Sequence, residues 1–117
     1  MIRVILHGCN GHMGQVITRL VADDDTVKIV AGIDIADNQN NGYPVFTRLE
    51  DCRVEADAMI DFSSFKATDQ VIGYCQDKKL PLVLCTTGLT QVQINKVPEA
   101  SQDVAILRSV KMSLGIN

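Results

Sequence analysis

Proline is scarce in this sequence, with three in 117 residues, and charged residues make up only 21% against 46% hydrophobic. That balance excludes a disordered chain and supplies apolar material for one sizeable core. The length is near that of one compact domain, which argues against two independently cored units. Positive charge is not in excess: 11 Lys and Arg against 14 Asp and Glu give a formal net charge of -3. A broad basic footprint for DNA, RNA or an anionic membrane is therefore missing. The longest apolar stretches, Val4 to Leu6 and Leu82 to Cys85, fall far short of a bilayer span, and no basic leader precedes Met1. The chain is expected to be soluble, untargeted and cytoplasmic.

Cys9, Cys52, Cys75 and Cys85 are widely spaced, without the paired spacing of a zinc site or a redox Cys-x-x-Cys. They are expected to be reduced thiols in an intracellular chain. With two histidines and no His-x-His or Glu-x-x-His spacing, a metal site lacks support and none is expected. Internal repeats, low-complexity tracts and linkers are also missing.

What is present alternates between two periods. Ile2 to Leu6 is β-branched and nearly continuous in apolar character, as in a strand buried on both faces of a parallel sheet. Met13, Val16, Ile17, Leu20 and Val21 follow at helical spacing, closed by Asp23 to Asp25. Val27 to Ile33 returns to strand composition and ends at Asp34, completing a strand, helix, strand unit over residues 2 to 34. Ala36 to Gly42 is polar and reads as a mobile surface loop, with a short strand expected around Val45. Ala58 to Ile60 is a strand leading into Asp61-Phe62-Ser63-Ser64 and a helix whose inner face carries Val71, Ile72 and Cys75. Pro81 to Cys85 is another strand, Thr86 to Gly88 a turn, Val92 and Ile94 part of a short helix, and Val104 to Leu107 a last strand. This alternation predicts an open, doubly wound α/β sheet.

The strongest local signal is Gly8-Cys9-Asn10-Gly11-His12-Met13-Gly14, a Gly-x-x-Gly-x-x-Gly between the first strand and the first helix. Glycines there permit a tight turn, close approach of backbone to a pyrophosphate and close helix-to-strand packing, and the helix N-terminus offers unpaired N–H groups to an anion. Asp34 lies twenty positions beyond Gly14, at the end of the second strand, where a carboxylate accepts hydrogen bonds from an adenosine ribose. The bland alternative, glycines that only permit the turn and a solvated strand-end carboxylate, stays open for each feature alone; together they favour a Rossmann-type dinucleotide-binding domain over residues 1–117. Ile35 follows Asp34 instead of a basic residue, so NADH is expected over NADPH. Cys85-Thr86-Thr87-Gly88 closes a strand at the same edge and offers hydroxyls to ribose or amide, or simply ends the strand and caps a helix. His12 is expected to be solvated or phosphate-facing and not a general base, and Cys9 and Cys85 to be inert thiols.

Taken in order, Gly8 to Gly14, Ile60-Asp61-Phe62-Ser63, Thr86-Thr87-Gly88 and Met112-Ser113-Leu114-Gly115-Ile116-Asn117 resemble 4-hydroxy-tetrahydrodipicolinate reductase, also called dihydrodipicolinate reductase. The resemblance runs from Ile2 to Asn117. It implies nicotinamide-dependent reduction in the diaminopimelate route to lysine, in the cytoplasm, by a homotetramer. It also implies that Gly8, Cys9, Asn10, Gly11, His12 and Met13 cradle the pyrophosphate, that Asp34 holds the adenosine ribose and that Phe62 and Ser63 flank the cofactor. Cys85, Thr86 and Thr87 and the stretch Ser109, Val110, Lys111 and Met112 would meet its reactive end.

The chain departs from the family pattern at three places. His12 stands where Arg or Lys is common, Cys85 replaces a glycine, and Lys111 stands where Asn is usual. The family's substrate domain, with its His-His motif and Lys, has no counterpart among these residues. Hydride transfer needs the substrate held against the nicotinamide, so the 117 residues alone are expected to be inactive on the small dicarboxylate substrate. A stand-alone NAD(H)-binding or redox-sensing module, and a scaffold with a vestigial site, are the competing readings.

Overall fold

The computed structural model describes residues 1–36, 41–86 and 88–108. Six strands, β1 (Ile2–His7), β2 (Val27–Ile33), β3 (Val45–Phe46), β4 (Ala58–Asp61), β5 (Leu82–Leu84) and β6 (Ile106–Arg108), alternate with helices α1 (His12–Ala22), α2 (Thr68–Lys78) and α3 (Gln91–Ala100). The strands form one sheet in the order β3-β2-β1-β4-β5-β6, and every pairing is parallel. The chain therefore winds outward from β1 in both directions. The reversal of winding opens a crevice at the carboxyl ends of β1 and β4.

Side chains of the central strands feed two cores, and a register shift between β1 and β2 at Val4/Ile5 changes the face that β2 presents after Ile29. Ile5, Ala31, Ile33, Met59, Leu82 and Leu84 face α2 and α3, whose Val71, Ile72, Cys75 and Ala100 close that layer. Val4, Leu6 and Ile29 face the other way, against Ile17 and Val21 of α1. The expected helical stripe of α1 is thus used only in part. Leu20 remains 64% exposed, because α1 lies over β1 and β2 and the i, i+4 pair Ile17 and Val21 alone reaches the sheet.

Three expectations shift. The last strand begins at Ile106 and not at Val104, whose N–H instead bonds to the Ala100 carbonyl at 3.3 Å and closes the end of α3. The helix expected to be short runs for ten residues, and its inner face is Gln93, Val97 and Ala100, while Val92 is exposed. A capping box explains its start: Thr90 accepts from the Gln93 N–H, and the Gln93 side chain accepts from the Thr90 N–H. Of the loop expected to be mobile, residues 37–40 lie outside the described residues, but Asn41 is tied down, donating from Nδ2 to Asn10 Oδ1 at 2.7 Å. Among the described residues no helix is long and apolar enough to cross a membrane.

Candidate functional site

The turn from β1 to α1 assigns separate tasks to its glycines. Gly8 has φ +84°, and a Cβ there would lie 2.9 Å from the Phe62 carbonyl carbon, so backbone approaches backbone where β1 meets the segment after β4. Gly14 is buried in the first turn of α1, and a Cβ on it would stand 2.3 Å from the Gly8 carbonyl oxygen. These two glycines hold the turn together. Gly11 differs: its φ of -74° suits any residue, and a Cβ would meet only the Gly8 carbonyl, at 3.5 Å. Gly11 is the N-cap of α1 and carries no side chain to cap it, so the first N–H groups of the helix stay available to an outside acceptor.

Beside that helix end lies a groove of about 190 Å³, lined by Gly11, His12 and Met13 on one side and by Phe62, Ser63, Cys85 and Thr86 on the other. Seven of the expected site residues therefore meet around one opening. His12 is exposed there. Cys9 and Asn10 belong to the same turn but point elsewhere. The Cys9 side chain is fully buried, under Gly32 and Tyr43. Asn10 uses its amide to fasten the neighbouring loop, donating to the Ala36 carbonyl and accepting from Asn41, so neither side chain is free to meet a ligand. Thr87, Ser109, Val110, Lys111 and Met112 lie outside the described residues.

Asp34 follows β2 at the same carboxyl edge. Its Oδ2 accepts from the Asn10 N–H at 2.9 Å and its Oδ1 from the Ala36 N–H at 3.0 Å, which ties the carboxylate to the glycine turn. A carboxylate has about four acceptor sites, so lone pairs remain for a diol. Asp34 borders a second cavity, of about 360 Å³, with Ile35, Thr47, Arg48 and Glu50. A larger cavity, of about 440 Å³ around Arg3, Arg53 and Lys78, includes none of the expected residues.

The sequence reading missed the group that organises this edge. Asp61, at the end of β4, is fully buried, and its Oδ1 accepts from Ser63 N at 3.0 Å and Ser63 Oγ at 2.6 Å. The Thr86 hydroxyl sits 3.0 Å from Asp61 Oδ2 and 3.1 Å from the Ser63 carbonyl oxygen, one proton between two acceptors. His7 Nδ1 approaches Asp61 Oδ1 to 3.2 Å, off the line a hydrogen bond needs. Burial pushes the Asp61 carboxyl up, but His7 and the Ser63 hydrogen bonds outweigh it and hold the group below its ordinary value. The ends of β1, β4 and β5 are thus joined through one carboxylate. A signal was available: an acid closing an otherwise apolar strand next to two hydroxyl residues.

Burial pushes the thiols of Cys9 and Cys85 up to about 11 and that of Cys75 to about 12. Cys9 and Cys85 are buried free thiols, and a raised pKa leaves little thiolate at neutral pH. Among the described residues no group of three or more His, Cys, Asp or Glu is placed to hold a metal ion.

A parallel sheet with strand order 3-2-1-4-5-6 and a glycine turn entering the first helix defines a Rossmann-type α/β domain. A family model described as dihydrodipicolinate reductase, N-terminus, matches residues 2–112. The chain belongs to that family, as its motifs implied. It is 44% identical over 117 residues to the 4-hydroxy-tetrahydrodipicolinate reductase of Clostridium tetani and 41% identical over 117 residues to that of Caldanaerobacter subterraneus, covering all of this chain and 46% of each relative. The chain thus spans about half the length of the curated relatives it matches. Among solved structures, dihydrodipicolinate reductase from Paenisporosarcina with dipicolinate bound superposes with a TM-score of 0.83 at 23% identity, over 98% of this chain and 49% of that one. Scyllo-inositol dehydrogenase from Lactobacillus casei, with NAD(H) and scyllo-inositol bound, gives 0.76 at 15% identity, over 93% and 36%. At those identities the two structures speak for the fold.

Proposed function

We propose that this chain is the nicotinamide-dinucleotide-binding domain, over residues 1–117, of a reductase that converts 4-hydroxy-tetrahydrodipicolinate to tetrahydrodipicolinate in the lysine and diaminopimelate route. The observation that carries the reading is the uncapped N-terminus of α1 opening, at Gly11, onto a groove between the ends of β1, β4 and β5. Helix N–H groups and the macrodipole favour a pyrophosphate there. Backbone from Gly8 to Met13 approaches it, while Phe62, Ser63, Cys85 and Thr86 form the opposite wall. Asp34 retains acceptor capacity for the adenosine ribose. In the family pattern Ser109 to Met112 and Thr87 would also meet the cofactor.

When bound, the nicotinamide supplies hydride. This chain's residues bind it, orient it and, through the Asp61 network, keep the groove's walls in register. Proton delivery and substrate binding are assigned to residues beyond these. His7 is buried against Asp61, and His12 is exposed on the turn, which supports reading neither as the family's acid. The working protein is read as a cytoplasmic homotetramer using a small dicarboxylate substrate.

NADH is preferred over NADPH on this reading, because Asp34 repels a 2'-phosphate and Ile35 offers it no cation. Calorimetric titration of the chain with each nucleotide at fixed ionic strength tests this. Tighter NADH binding is expected, with the gap narrowed by Ile35→Arg. Equal or tighter NADPH binding contradicts the preference, and no binding of either contradicts the site. The 117-residue chain with saturating NADH should not reduce the substrate; turnover within tenfold of a full-length relative would show that its own residues perform the proton chemistry.

A further inference from the structure

Asp34 and Ile35 are adjacent in sequence, and the sheet brings a third residue, Arg48, to the cavity they border. β3 runs parallel to β2 with Gly32 opposite Val45 and Ile33 opposite Phe46, and the Asp34 N–H continues the ladder to the Phe46 carbonyl at 3.0 Å. Both strands end there, and Thr47 and Arg48 follow β3 as Asp34 and Ile35 follow β2. Neighbouring strands lie about 4.8 Å apart, well within the reach of a guanidinium. Arg48 accordingly borders the same cavity as Asp34 and Ile35, with Glu50 on its rim.

Arg48 is not committed to the fold. Its Nη2 pairs with Glu50 Oε2 at 3.1 Å, but the two side chains are 66% and 52% exposed, and an ion pair so wetted is weak and readily exchanged. Glu50 is also held by Gln70, whose Nε2 donates to its other oxygen at 3.4 Å. The cavity beside Asp34 therefore has a planar, permanently charged fork whose present partner is a replaceable carboxylate. A phosphate dianion is a better bidentate partner for that fork.

We propose that Arg48 is a cofactor-specificity residue: it exchanges Glu50 for the 2'-phosphate of an adenosine ribose held at Asp34, so that Arg48 and Glu50 together set how strongly NADPH is disfavoured. The inference rests on the dinucleotide reading of the site. Asp34 and Glu50 oppose the phosphate and Arg48 favours it, so the preference for NADH is a balance that either variant moves.

The test is calorimetric titration of the chain, Arg48→Met and Glu50→Gln with NADH and with NADPH, at two salt concentrations, with folding checked by circular dichroism. Both positions are exposed, so the variants should fold. Arg48→Met should weaken NADPH about tenfold and flatten its salt dependence, leaving NADH within twofold. Glu50→Gln should tighten NADPH about threefold or more by freeing the guanidinium. NADH binding with NADPH affinity equal in all three proteins overturns the role of Arg48 and leaves the site standing. A parent chain that binds neither nucleotide overturns the site reading and this inference with it.

Discussion

Gly14→Ala should damage the fold, whereas Gly11→Ala should damage only the site, although both glycines belong to one turn. At Gly14 the added Cβ would stand 2.3 Å from the Gly8 carbonyl oxygen, 2.5 Å from the Cys9 carbonyl oxygen and 2.6 Å from the Cys9 carbonyl carbon. All three are backbone atoms, so the turn must move by about 1 Å to reach ordinary contact, and overpacking of this kind costs about 1–3 kcal/mol. Alanine recovers at most about 1 kcal/mol of helix propensity over glycine. Clashes this short with backbone that cannot swing away take the upper end of that range, so the expected net loss is about 2 kcal/mol, or several degrees in Tm. At Gly11 the Cβ meets nothing nearer than 3.5 Å, and only the weaker N-cap preference of alanine remains, about 0.5 kcal/mol. Urea unfolding followed by circular dichroism measures both. A Gly14→Ala protein as stable as its parent would refute the close packing of α1 on the turn, and a Gly11→Ala protein as destabilised as Gly14→Ala would refute the division of roles.

The Asp61 network carries a pH signature. Its carboxyl lies below its ordinary value in the folded chain, so its stabilisation is fully present above the unfolded value near pH 3.9 and is lost as pH falls through the lower, folded value. Ser63→Ala removes the 2.6 Å hydroxyl bond, so unfolding free energy should drop by about 1.5–3 kcal/mol at pH 7, with the difference from the parent shrinking on acidification below pH 4; a pH-independent loss would contradict the assignment. Thr86→Val should destabilise by a similar amount, about 1.5–3 kcal/mol, because it leaves Asp61 Oδ2 without the donor at 3.0 Å, and equal stability in denaturant titration would show that this bond is dispensable. Because burial holds Cys9, Cys75 and Cys85 at about 11 to 12 and all four thiols are buried, a colorimetric disulfide reagent at pH 7.5 should react slowly with the native chain and label all four in urea. Rapid native labelling would mean that the cores open easily.

Much of the sheet was legible because its strands are buried on both faces and their apolar runs are nearly unbroken. Val27–Ile33 has the expected limits, and Ile2–His7 extends its expected run by one residue. The boundaries that moved are those set by hydrogen bonds and not by hydrophobicity: Val104 is apolar and buried, yet its N–H closes α3. In α3 the inner face includes Gln93, a polar residue buried because its amide donates to the Phe65 carbonyl at 2.7 Å and its oxygen completes the capping box; an apolar stripe does not reveal that. At the site, the glycine turn and Asp34 could be read from local spacing. The Asp61 network and the neighbourhood of Arg48 could not, since they depend on which strands lie side by side. His7 and Asp61 are 54 residues apart in the chain and opposite each other in the β1 and β4 register.

Calorimetric titration of Gly11→Val with NADH separates a glycine turn that is a nucleotide site from one that is merely a tight corner. A branched side chain at Gly11 would occupy the open space facing the groove and bar the backbone from a pyrophosphate. The parent should bind one equivalent of NADH saturably, and the variant, with an unchanged circular dichroism spectrum, should bind at least tenfold more weakly. A folded Gly11→Val protein that binds NADH as its parent does would show that the glycine turn is only a tight corner.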